Sequence, residues 1–531
     1  MSNIQKGIVI TILWSVFYFA FEEKLFAQDS QVKINFKGIR KEAINDVLIP
    51  VRPGIPGERQ FWNTYSSWFI YVPSFDFKLV DSTKKYKFTA IASNSLEYSF
   101  VSDKPWDNLS PIWGKMPVGF ISLQVQGIDI NNKSLGLAGS RKFYKAAPFQ
   151  GPYHNKTKEY SESAKCALNY IFNLSYIRKW KFSSVPDTAY RLYCYPSTTI
   201  SSVVESMSLY SKLFPQNASD ALAIAKNAAN FLISISEPKG APLEYFPPTY
   251  LGEAMTAKKY KRQFMITYPV NAAFSYLDLF DVTNEQSYLD AAIRIAETYK
   301  KLQMPSGTWK LKFGQNGDAI TGIDCIPISI VEFFDRLINQ YKIDGYITTR
   351  AKAFNWIMDN PVRTFNWTGQ FEDVAPGEPF KNLTHHDAAA FAIYLLGRVN
   401  ENIKYKDIAE ELLRYSEDQF VIWEKPMPQK NWNVQDWIIP SVMEQYHFYV
   451  PIDTGTAKLM KTFLKAYQVT GNKTYWAKAI ELANTMTVSQ IAETGEYPTF
   501  GDKNEWKKQL GWINATCYDV KAMLEMADFN R

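Results

Sequence analysis

The sequence predicts a mainly α-helical protein with an N-terminal β domain, namely an antiparallel β-sandwich followed by an (α/α)6 toroid. Two observations support this fold class. Short segments of alternating polar and apolar residues fill the early part of the chain, and such alternation is typical of antiparallel strands. After Tyr160 the apolar residues recur with helical spacing, and one helical unit is used twice.

The composition is that of a large folded protein. The chain has 531 residues, of which 46% are hydrophobic and 15% aromatic, so two domains are expected. The net charge of +6 is spread without a basic run, which argues against nucleic-acid binding and is compatible with an anionic glycan as partner. The four cysteines lie far apart with no CxxC pair, so we expect small buried thiols, no metal site and no cofactor, although export would permit a disulfide.

The N-terminus resembles an export signal. Lys6 is followed by the apolar run "GIVITILWSVFYFAF" and then by "LFAQ", and the run is shorter than the roughly 20 residues that span a bilayer. We therefore predict a signal peptide at 1–27, cleaved after Ala27, and a periplasmic or secreted mature protein with no membrane span. An uncleaved anchor is the alternative, because Glu22 and Glu23 lie close to the cleavage position.

The next segment, 28–145, is predicted to form the β-sandwich. Its strands are expected in "WFIYVPSFDFKLV", "KYKFTAIA", "LEYSFVS" and "GFISLQVQGIDI", which are separated by polar turns such as "DSTK" and "DINNKS". Residues 146–160 contain prolines and no periodicity, so they are predicted to be a linker. The remaining residues, 161–531, form the predicted toroid.

The helical repeat defines the toroid. "VTNEQSYLDAAIRIAET" begins at Val282 and "VTGNKTYWAKAIELANT" at Val469, with matching Tyr and Ala positions, and an apolar helix follows each copy. Extending this rule along the chain gives six helix pairs, which is enough to close a ring. The amphipathic outer helices are expected near 160–179, 218–236, 286–303, 347–359, 404–423 and 473–491. The apolar inner helices are expected near 198–214, 269–281, 324–341, 384–398, 454–469 and 512–528.

In such a ring the inner helices share one direction, so their N-terminal ends meet at one mouth, which suits anions and polar ligands. The loops before these helices are rich in aromatic and carboxylate residues, as in "GQFEDVAPGEPFKNLTHHD" and "WIIPSVMEQYHFYVPIDTG". The arrangement resembles exported glycan-degrading enzymes, most closely glycoside hydrolase family 154, whose members are exo-acting β-glucuronidases. It is similar, less specifically, to unsaturated glucuronyl hydrolases and α/α-toroid uronate lyases. The resemblance implies an acidic oligosaccharide or polysaccharide as substrate, and it carries over no catalytic position.

Two of the four histidines stand side by side in "NLTHHDAAAFAIYLL". Adjacent residues in a helix point about 100° apart, which disfavours a shared metal ion. Thr384 is a suitable N-cap, so His385, His386 and Asp387 are expected in the first turn of an inner helix, facing the mouth, where they bind substrate. The alternative is that Asp387 only complements the helix dipole and one imidazole packs under the β-sandwich.

Three carboxylates are the predicted catalytic residues. Glu444 lies in the apolar run "PSVMEQYHFYVP", where an ionised carboxylate is costly unless it is paired or protonated, and this suits a general acid. Glu372 and Asp373 precede the histidine helix and are candidates for the second carboxyl group. The structural alternatives are a buried ion pair for Glu444 and a solvated loop pair for Glu372 and Asp373.

Aromatic residues near the mouth are candidates for stacking against sugar rings. The predicted substrate-binding residues of this kind are Tyr195, Trp432, Tyr446 and Trp512, and Asp324, Asp436 and Asp453 are candidates for binding hydroxyl groups. With 15 Trp and 32 Tyr in the chain, most aromatics must belong to the core. Helix capping is the alternative role for these aspartates.

The predicted function is therefore hydrolysis of glycans that contain uronic acids, by an exo-β-glucuronidase that uses carboxylate acid and base groups. A second hypothesis is a polysaccharide lyase, in which Tyr446 or His386 removes the C5 proton and Asn382 neutralises the substrate carboxylate. A third is a catalytically inactive glycan-binding protein. A sugar isomerase of the epimerase type is a fourth hypothesis, which the export signal disfavours.

Overall fold

A computed structural model describes residues 34–51, 62, 65–372, 379–425, 437–446, 449–501 and 511–530. The predicted signal peptide, Asp373, Trp432 and Asp436 lie outside these residues. No helix in this part of the chain combines the length and the apolar character needed to cross a bilayer.

The N-terminal domain begins with a helix that the alternation did not predict, α1 (Phe36–Asp46), whose N-terminal N–H groups are capped by Asn35. The strands and a one-turn helix follow: β1 (Trp68–Phe69), β2 (Ser74–Asp76), β3 (Lys85–Ala92), β4 (Glu97–Ser102), β5 (Trp106–Asn108), α2 (Ser110–Trp113), β6 (Gly119–Ile128) and β7 (Ser134–Lys145).

The described strands form one five-stranded sheet and one small pair, not the two full sheets of the expected sandwich. The sheet has the order β1-β7-β6-β3-β4, and β2 pairs separately with β5. Every neighbouring pair in the sheet is antiparallel except β1 and β7, which are parallel. The sequence predicted one first strand, but the structure has two short strands there, and residues 70–73 between β1 and β2 lie outside any strand.

Strand β3 shows why the alternation was informative. Tyr86, Phe88, Ala90 and Ala92 are buried, while the residues between them are exposed or half-buried. Successive side chains of a strand point to opposite faces, so one face of the sheet packs on the core and the other faces solvent.

The helical domain contains twelve helices that pack in pairs and several shorter elements, counted over the described residues. Its elements are α3 (Tyr160–Asn173), α4 (Ser175–Arg178), α5 (Pro196–Leu213), α6 (Ala218–Ile235), α7 (Met255–Lys259), β8 (Gln263–Met265), α8 (Pro269–Thr283), α9 (Gln286–Leu302), β9 (Lys312–Gly314), α10 (Ile328–Asn339), α11 (Ile347–Ile357), α12 (His386–Leu396), α13 (Lys404–Phe420), β10 (Val421–Ile422), β11 (Ser441–Val442), α14 (Asp453–Thr470), α15 (Lys473–Ser489) and α16 (Ile513–Phe529).

Helix contacts close a ring. Helices α5, α8, α10, α12, α14 and α16 each contact the next, and α16 contacts α5. We call these the inner helices. Each also packs on one outer helix: α5 on α6, α8 on α9, α10 on α11, α12 on α13, α14 on α15, and α16 on α3. The last helix of the chain thus completes the ring against the first helix of the domain.

A helix lies at each of the twelve expected positions, and most ends lie within two residues of the expected position. The helix expected from 324 begins at Ile328, and the one expected from 384 begins at His386. The outer helix expected at 160–179 is interrupted at Leu174, whose backbone is extended. Periodicity continues through such irregularities because an apolar side chain can be buried on either side of a break.

All four cysteines are free thiols, and all except the half-buried Cys166 are buried. The two domains are joined by a buried polar interface at the C-terminal end of α13, where Asp418 accepts hydrogen bonds from the N–H groups of Ile70 and Tyr71, both at 2.6 Å. This interface fixes the sheet domain beside the ends of the helices that carry the candidate site.

Candidate functional site

Residues near the N-terminal ends of several inner helices contact one another or the loops beside them. The rings of Tyr195 and Trp512, which precede α5 and α16, are 5.2 Å apart. Tyr268, which precedes α8, donates a hydrogen bond to Glu372. His386, the first residue of α12, contacts Lys458 in the second turn of α14. We call this end of the ring the mouth, and it contains most of the described candidate residues.

A three-segment ladder fixes the start of α12. Residues 382–384 pair on one side with 367–369, through Gly369 N to Asn382 O at 2.8 Å and Thr384 N to Trp367 O at 3.1 Å. On the other side Tyr446 N donates to Leu383 O at 3.1 Å. The ladder therefore places the segment before Glu372 and the segment containing Glu444 on opposite sides of the chain that leads into His386.

Thr384 orders the first turn of α12, although the helix starts one residue later than expected. Its hydroxyl accepts a hydrogen bond from His386 N at 3.2 Å and donates one to Glu444 O at 3.1 Å. One side chain thus caps the helix and holds the Glu444 segment. This is why the predicted acid and the paired histidines lie together.

His386 is the centre of a hydrogen-bonded chain. Its Nδ1 lies 3.2 Å from Asp387 Oδ1, and its Nε2 lies 3.1 Å from Lys458 Nζ. An ammonium can only donate, so Nε2 accepts from Lys458 and the ring proton sits on Nδ1, from which it is donated to Asp387. The chain runs from ammonium to imidazole to carboxylate.

The electrostatics keep His386 neutral. Its pKa is lowered first by the charge of Lys458 and then by burial, and Asp387 opposes both. The side chain is nevertheless 60% exposed, so solvent reaches the ring. Lys458 is only 7% exposed, and burial lowers its pKa to about 8.

His385 points away from the mouth, which corrects the expectation that both histidines face it. It is 4% exposed, and its ring packs edge-on against Phe420 at 5.6 Å. Burial holds its pKa well below the ordinary value, so it is neutral. Its Nε2 would lie 3.0 Å from a Cβ at Gly455, so α14 approaches closely at a glycine. The turn of about 100° per residue separates the two rings.

The two described glutamates among the predicted catalytic residues are both half-buried. Glu444 donates its N–H to Val450 O at 2.9 Å, and its neighbours Val442 and Met443 are fully buried. The carboxylate of Glu372 accepts from the Tyr268 hydroxyl, and its carbonyl accepts from Tyr250 Oη at 2.7 Å and from Lys312 Nζ at 2.6 Å. Glu372 is therefore positioned by aromatic hydroxyls, which the sequence did not indicate.

The aromatic candidates have different environments. Tyr195 is 6% exposed and packs between Trp512 and Tyr250, at 5.2 and 6.0 Å. Because Trp512 and Tyr250 are half-buried, they offer more ring surface to a ligand than Tyr195. Tyr446 Oη contacts Gln419 and Ser66 Oγ, the latter at 3.0 Å, so its hydroxyl links the two domains.

Asp324 is already paired. Its carboxylate accepts from Lys310 Nζ at 2.6 Å, and both side chains are about one-third exposed. Its carbonyl accepts from Gln370 Nε2 at 2.8 Å. These contacts give Asp324 a role in holding the loop before α10 against the segment that carries Glu372.

Two buried charged residues, Lys458 and Asp519, were missed by the sequence reasoning, whereas Asp453, which is also buried, was a candidate for binding hydroxyl groups. Asp519 is fully buried, and its carboxylate oxygens have no hydrogen-bond partner in the described structure. Burial, and then the charge of Asp453, raise its pKa well above the ordinary value, and burial raises the pKa of Asp453 to about 7. The available signal was a charged residue within an apolar inner helix. Within the described ranges no group of three or more His, Cys, Asp or Glu is arranged to hold a metal ion.

No protein-family model and no curated protein matches the sequence. Solved structures with a similar backbone include a family 76 glycoside hydrolase from a bovine Bacteroides thetaiotaomicron strain, with 10% identity, coverage of 91% of this chain and 100% of that chain, and a TM-score of 0.46. An unsaturated glucuronyl hydrolase specific for heparin has 12% identity, coverage of 70% and 97%, and a TM-score of 0.46. The cellobiose 2-epimerase from Spirochaeta thermophila has 12% identity, coverage of 69% and 98%, and a TM-score of 0.45. Likenesses this low carry over no activity, and the resemblance to family 154 stays a prediction.

Proposed function

We propose that this protein is an exported glycan-degrading enzyme with an (α/α)6 toroid as its catalytic domain, and that it hydrolyses glycans containing uronic acids as an exo-acting β-glucuronidase. The observation that carries the proposal is the ladder around 382–384. Residues 367–369, which lead to Glu372, lie on one side of 382–384, and the segment that contains Glu444 lies on the other side. Glycoside hydrolysis needs two carboxyl groups that flank the scissile bond.

Each glutamate has surroundings that suit one role. Glu444 is half-buried and follows the fully buried Val442 and Met443, and in this proposal it is the acid that protonates the leaving-group oxygen. Glu372 accepts a hydrogen bond from Tyr268, which favours an ionised carboxylate that acts on water or on the anomeric carbon. The separation of the two carboxyl groups decides the outcome, with about 5 Å for retention and about 6.5 to 9.5 Å for inversion.

The ring faces near the mouth complete a sugar site. Trp512 and Tyr250 lie on either side of Tyr195, and aromatic faces pack well on the apolar faces of pyranose rings. A carbohydrate site needs flat apolar surface together with carboxylates and hydrogen-bond donors. The apolar surface packs on the sugar ring, and a few polar groups fix the orientation of the ligand.

A lyase is the second candidate, and one observation favours it: His386 is a neutral imidazole open to solvent. To remove the C5 proton it would need the Nε2 lone pair, which accepts a hydrogen bond from Lys458. Other contacts disfavour it. Asn382, the expected neutraliser of the substrate carboxylate, is 3% exposed and donates to Gln445 Oε1 at 2.7 Å. The Tyr446 hydroxyl, the alternative base, is engaged with Gln419 and Ser66.

The test is an assay of the mature protein on para-nitrophenyl β-glucuronide, para-nitrophenyl β-glucoside and uronate-bearing oligosaccharides. We expect the wild-type protein to release glucuronic acid. Glu444→Gln and Glu372→Gln should lose this activity on natural oligosaccharides and should keep the wild-type melting temperature. Glu493→Gln, at an exposed position, is the control and should behave as wild type. Ultraviolet absorbance from a C4–C5 double bond in the product would show that the protein is a lyase and not a hydrolase. No turnover of any uronate substrate would reject both.

A further inference from the structure

We propose that Lys458 is the residue that binds the carboxylate of an acidic sugar at the mouth, and that His386 and Asp387 position its ammonium group for that contact. The identity of the ligand as a uronic acid rests on the proposed function. The role of Lys458 as an anion-binding residue rests on its own contacts.

The first argument is the number of hydrogen bonds that Lys458 makes. An ammonium has three N–H groups and no acceptor. Among the described residues its only hydrogen-bond partner is His386 Nε2, at 3.1 Å. Lys458 is 7% exposed, and a buried polar donor without a partner is costly. The ring of Tyr518, whose centroid is 5.1 Å from Nζ, interacts with the charge but supplies no oxygen acceptor, so the two remaining N–H groups need acceptors. A carboxylate supplies two oxygens.

The second argument is access. The neighbouring His386 side chain is 60% exposed, so solvent-filled space adjoins the atoms that contact Lys458 Nζ. Helix α12 begins at His386 and its first N–H groups lie at the same end. A helix N-terminus favours an anion. Here the field of the helix acts together with the ammonium of Lys458, which has N–H groups available for hydrogen bonds.

The third argument is the balance of charge around Lys458. The charges that act on it are those of Asp387 and Glu332, which stabilise the ammonium, and those of Lys461 and Lys521, which oppose it. Asp387 is already engaged with His386. An anionic ligand would therefore complete the neutralisation of Lys458.

His386 therefore has a different role from the substrate-binding role that the sequence suggested. A neutral ring that donates Nδ1–H to Asp387 and accepts at Nε2 has no N–H left for a sugar carboxylate. His386 acts instead as a positioning residue that holds the ammonium, and Asp387 fixes its tautomer. The cation that faces the substrate is Lys458.

The test compares Lys458→Met, Lys458→Arg and the matched control Lys461→Met. Lys461 lies one turn further along α14 and is paired with Glu525 at 2.9 Å. We measure kcat/KM for para-nitrophenyl β-glucuronide and β-glucoside, binding of free D-glucuronate and D-glucose by calorimetry, and the melting temperature. Lys458→Met should lower the glucuronide-to-glucoside ratio by about 10- to 100-fold, as expected for loss of a charged hydrogen-bonded contact, and should abolish D-glucuronate binding. Lys458→Arg should retain part of the preference, and Lys461→Met should retain all of it.

The outcomes separate the two proposals. If wild type cleaves the glucuronide and both Lys458 variants keep its preference and its D-glucuronate affinity, Lys458 is not the carboxylate-binding residue and the hydrolase proposal stands. If wild type cleaves no glycoside but binds D-glucuronate through Lys458, the hydrolase proposal is lost and the inference stands. Should Lys458→Met fail to fold, equal losses on acidic and neutral ligands in Lys458→Arg would overturn the inference.

Discussion

The carboxylate of Asp418 accepts a hydrogen bond from the backbone N–H of Tyr71 at 2.6 Å, across 347 positions of sequence. The same oxygen also accepts from Ile70 N, and the neighbouring Glu417 accepts from Tyr71 Oη at 2.9 Å. Glu417 is in turn paired with Lys478, and both side chains are 2% exposed. The sheet domain is therefore attached to α13 by buried polar bonds, which fix orientation more strictly than apolar contact does.

Asp418→Ala should lower the free energy of unfolding by about 3 kcal/mol, because it leaves two buried backbone N–H groups without an acceptor and each costs about 1 to 3 kcal/mol. Urea denaturation measures the change. Asp407→Ala, at an exposed position in the first turn of α13, is the control and should cost less than about 1 kcal/mol. Similar losses in the two variants would show that the bonds to Ile70 and Tyr71 contribute little.

The buried pair Asp453 and Asp519 should make the protein less stable as pH rises. Both folded-state pKa values are raised by burial, that of Asp453 to about 7. The folded protein therefore holds these protons more tightly than the unfolded chain does, so the stabilisation is complete below the unfolded-state pKa of about 4 and is lost as pH rises through about 7.

Asp519→Asn mimics the protonated acid, so it should flatten this dependence and raise stability above pH 7 by about 1 to 3 kcal/mol relative to wild type. Thermal unfolding from pH 4 to 8 gives the comparison. Asp290→Asn, an exposed substitution on α9, should follow the wild-type curve. If the difference between Asp519→Asn and wild type does not grow with pH, the two acids are neutralised in another way.

The adjacent histidines should respond to substitution in opposite ways. His385→Ala removes a fully enclosed ring that packs on Phe420 and should cost about 2 to 4 kcal/mol of stability. His386→Ala removes an exposed ring, so the melting temperature should change little while the KM for an acidic substrate rises more than that for a neutral analogue. Each variant is the control for the other. A purely thermal loss in His386→Ala would assign it to the capping of α12.

Glu444→Gln should affect the cleavage of substrates with good and poor leaving groups to different extents. The variant keeps the shape of the side chain and removes a proton donor, so an aryl glycoside with a good leaving group should be cleaved far better than a natural glycan. The ratio of the two kcat/KM values is the measurement. Near-normal turnover of the natural glycan would make Glu444 structural and would move the acid to Glu372, or to Asp373, which lies outside the described residues.

The helical part of the fold was predictable because periodicity is a local property. A helix buried on one side repeats its apolar residues whatever its partner is, and the repeat at Val282 and Val469 marks two such helices, α9 and α15. The sheet was predicted only in part. Alternation identified β3 and β6 but contains no information on which strands share a sheet, so the division of β1 from β2 and the parallel pairing of β1 with β7 were missed.

The sequence by itself determined that an inner helix starts at the paired histidines, because the Thr384 hydroxyl and the following apolar run are local signals, and α12 begins at His386 directly after His385. Only the tertiary structure decided which ring is buried. It also decided which cation meets His386, since Lys458 is 72 positions away and reaches it only when α12 and α14 pack as neighbours. The pairing of Asp453 with Asp519 likewise depends on contact between α14 and α16. Electrostatic interactions act through space, so a charged residue acquires its role only when ring closure gives it neighbours.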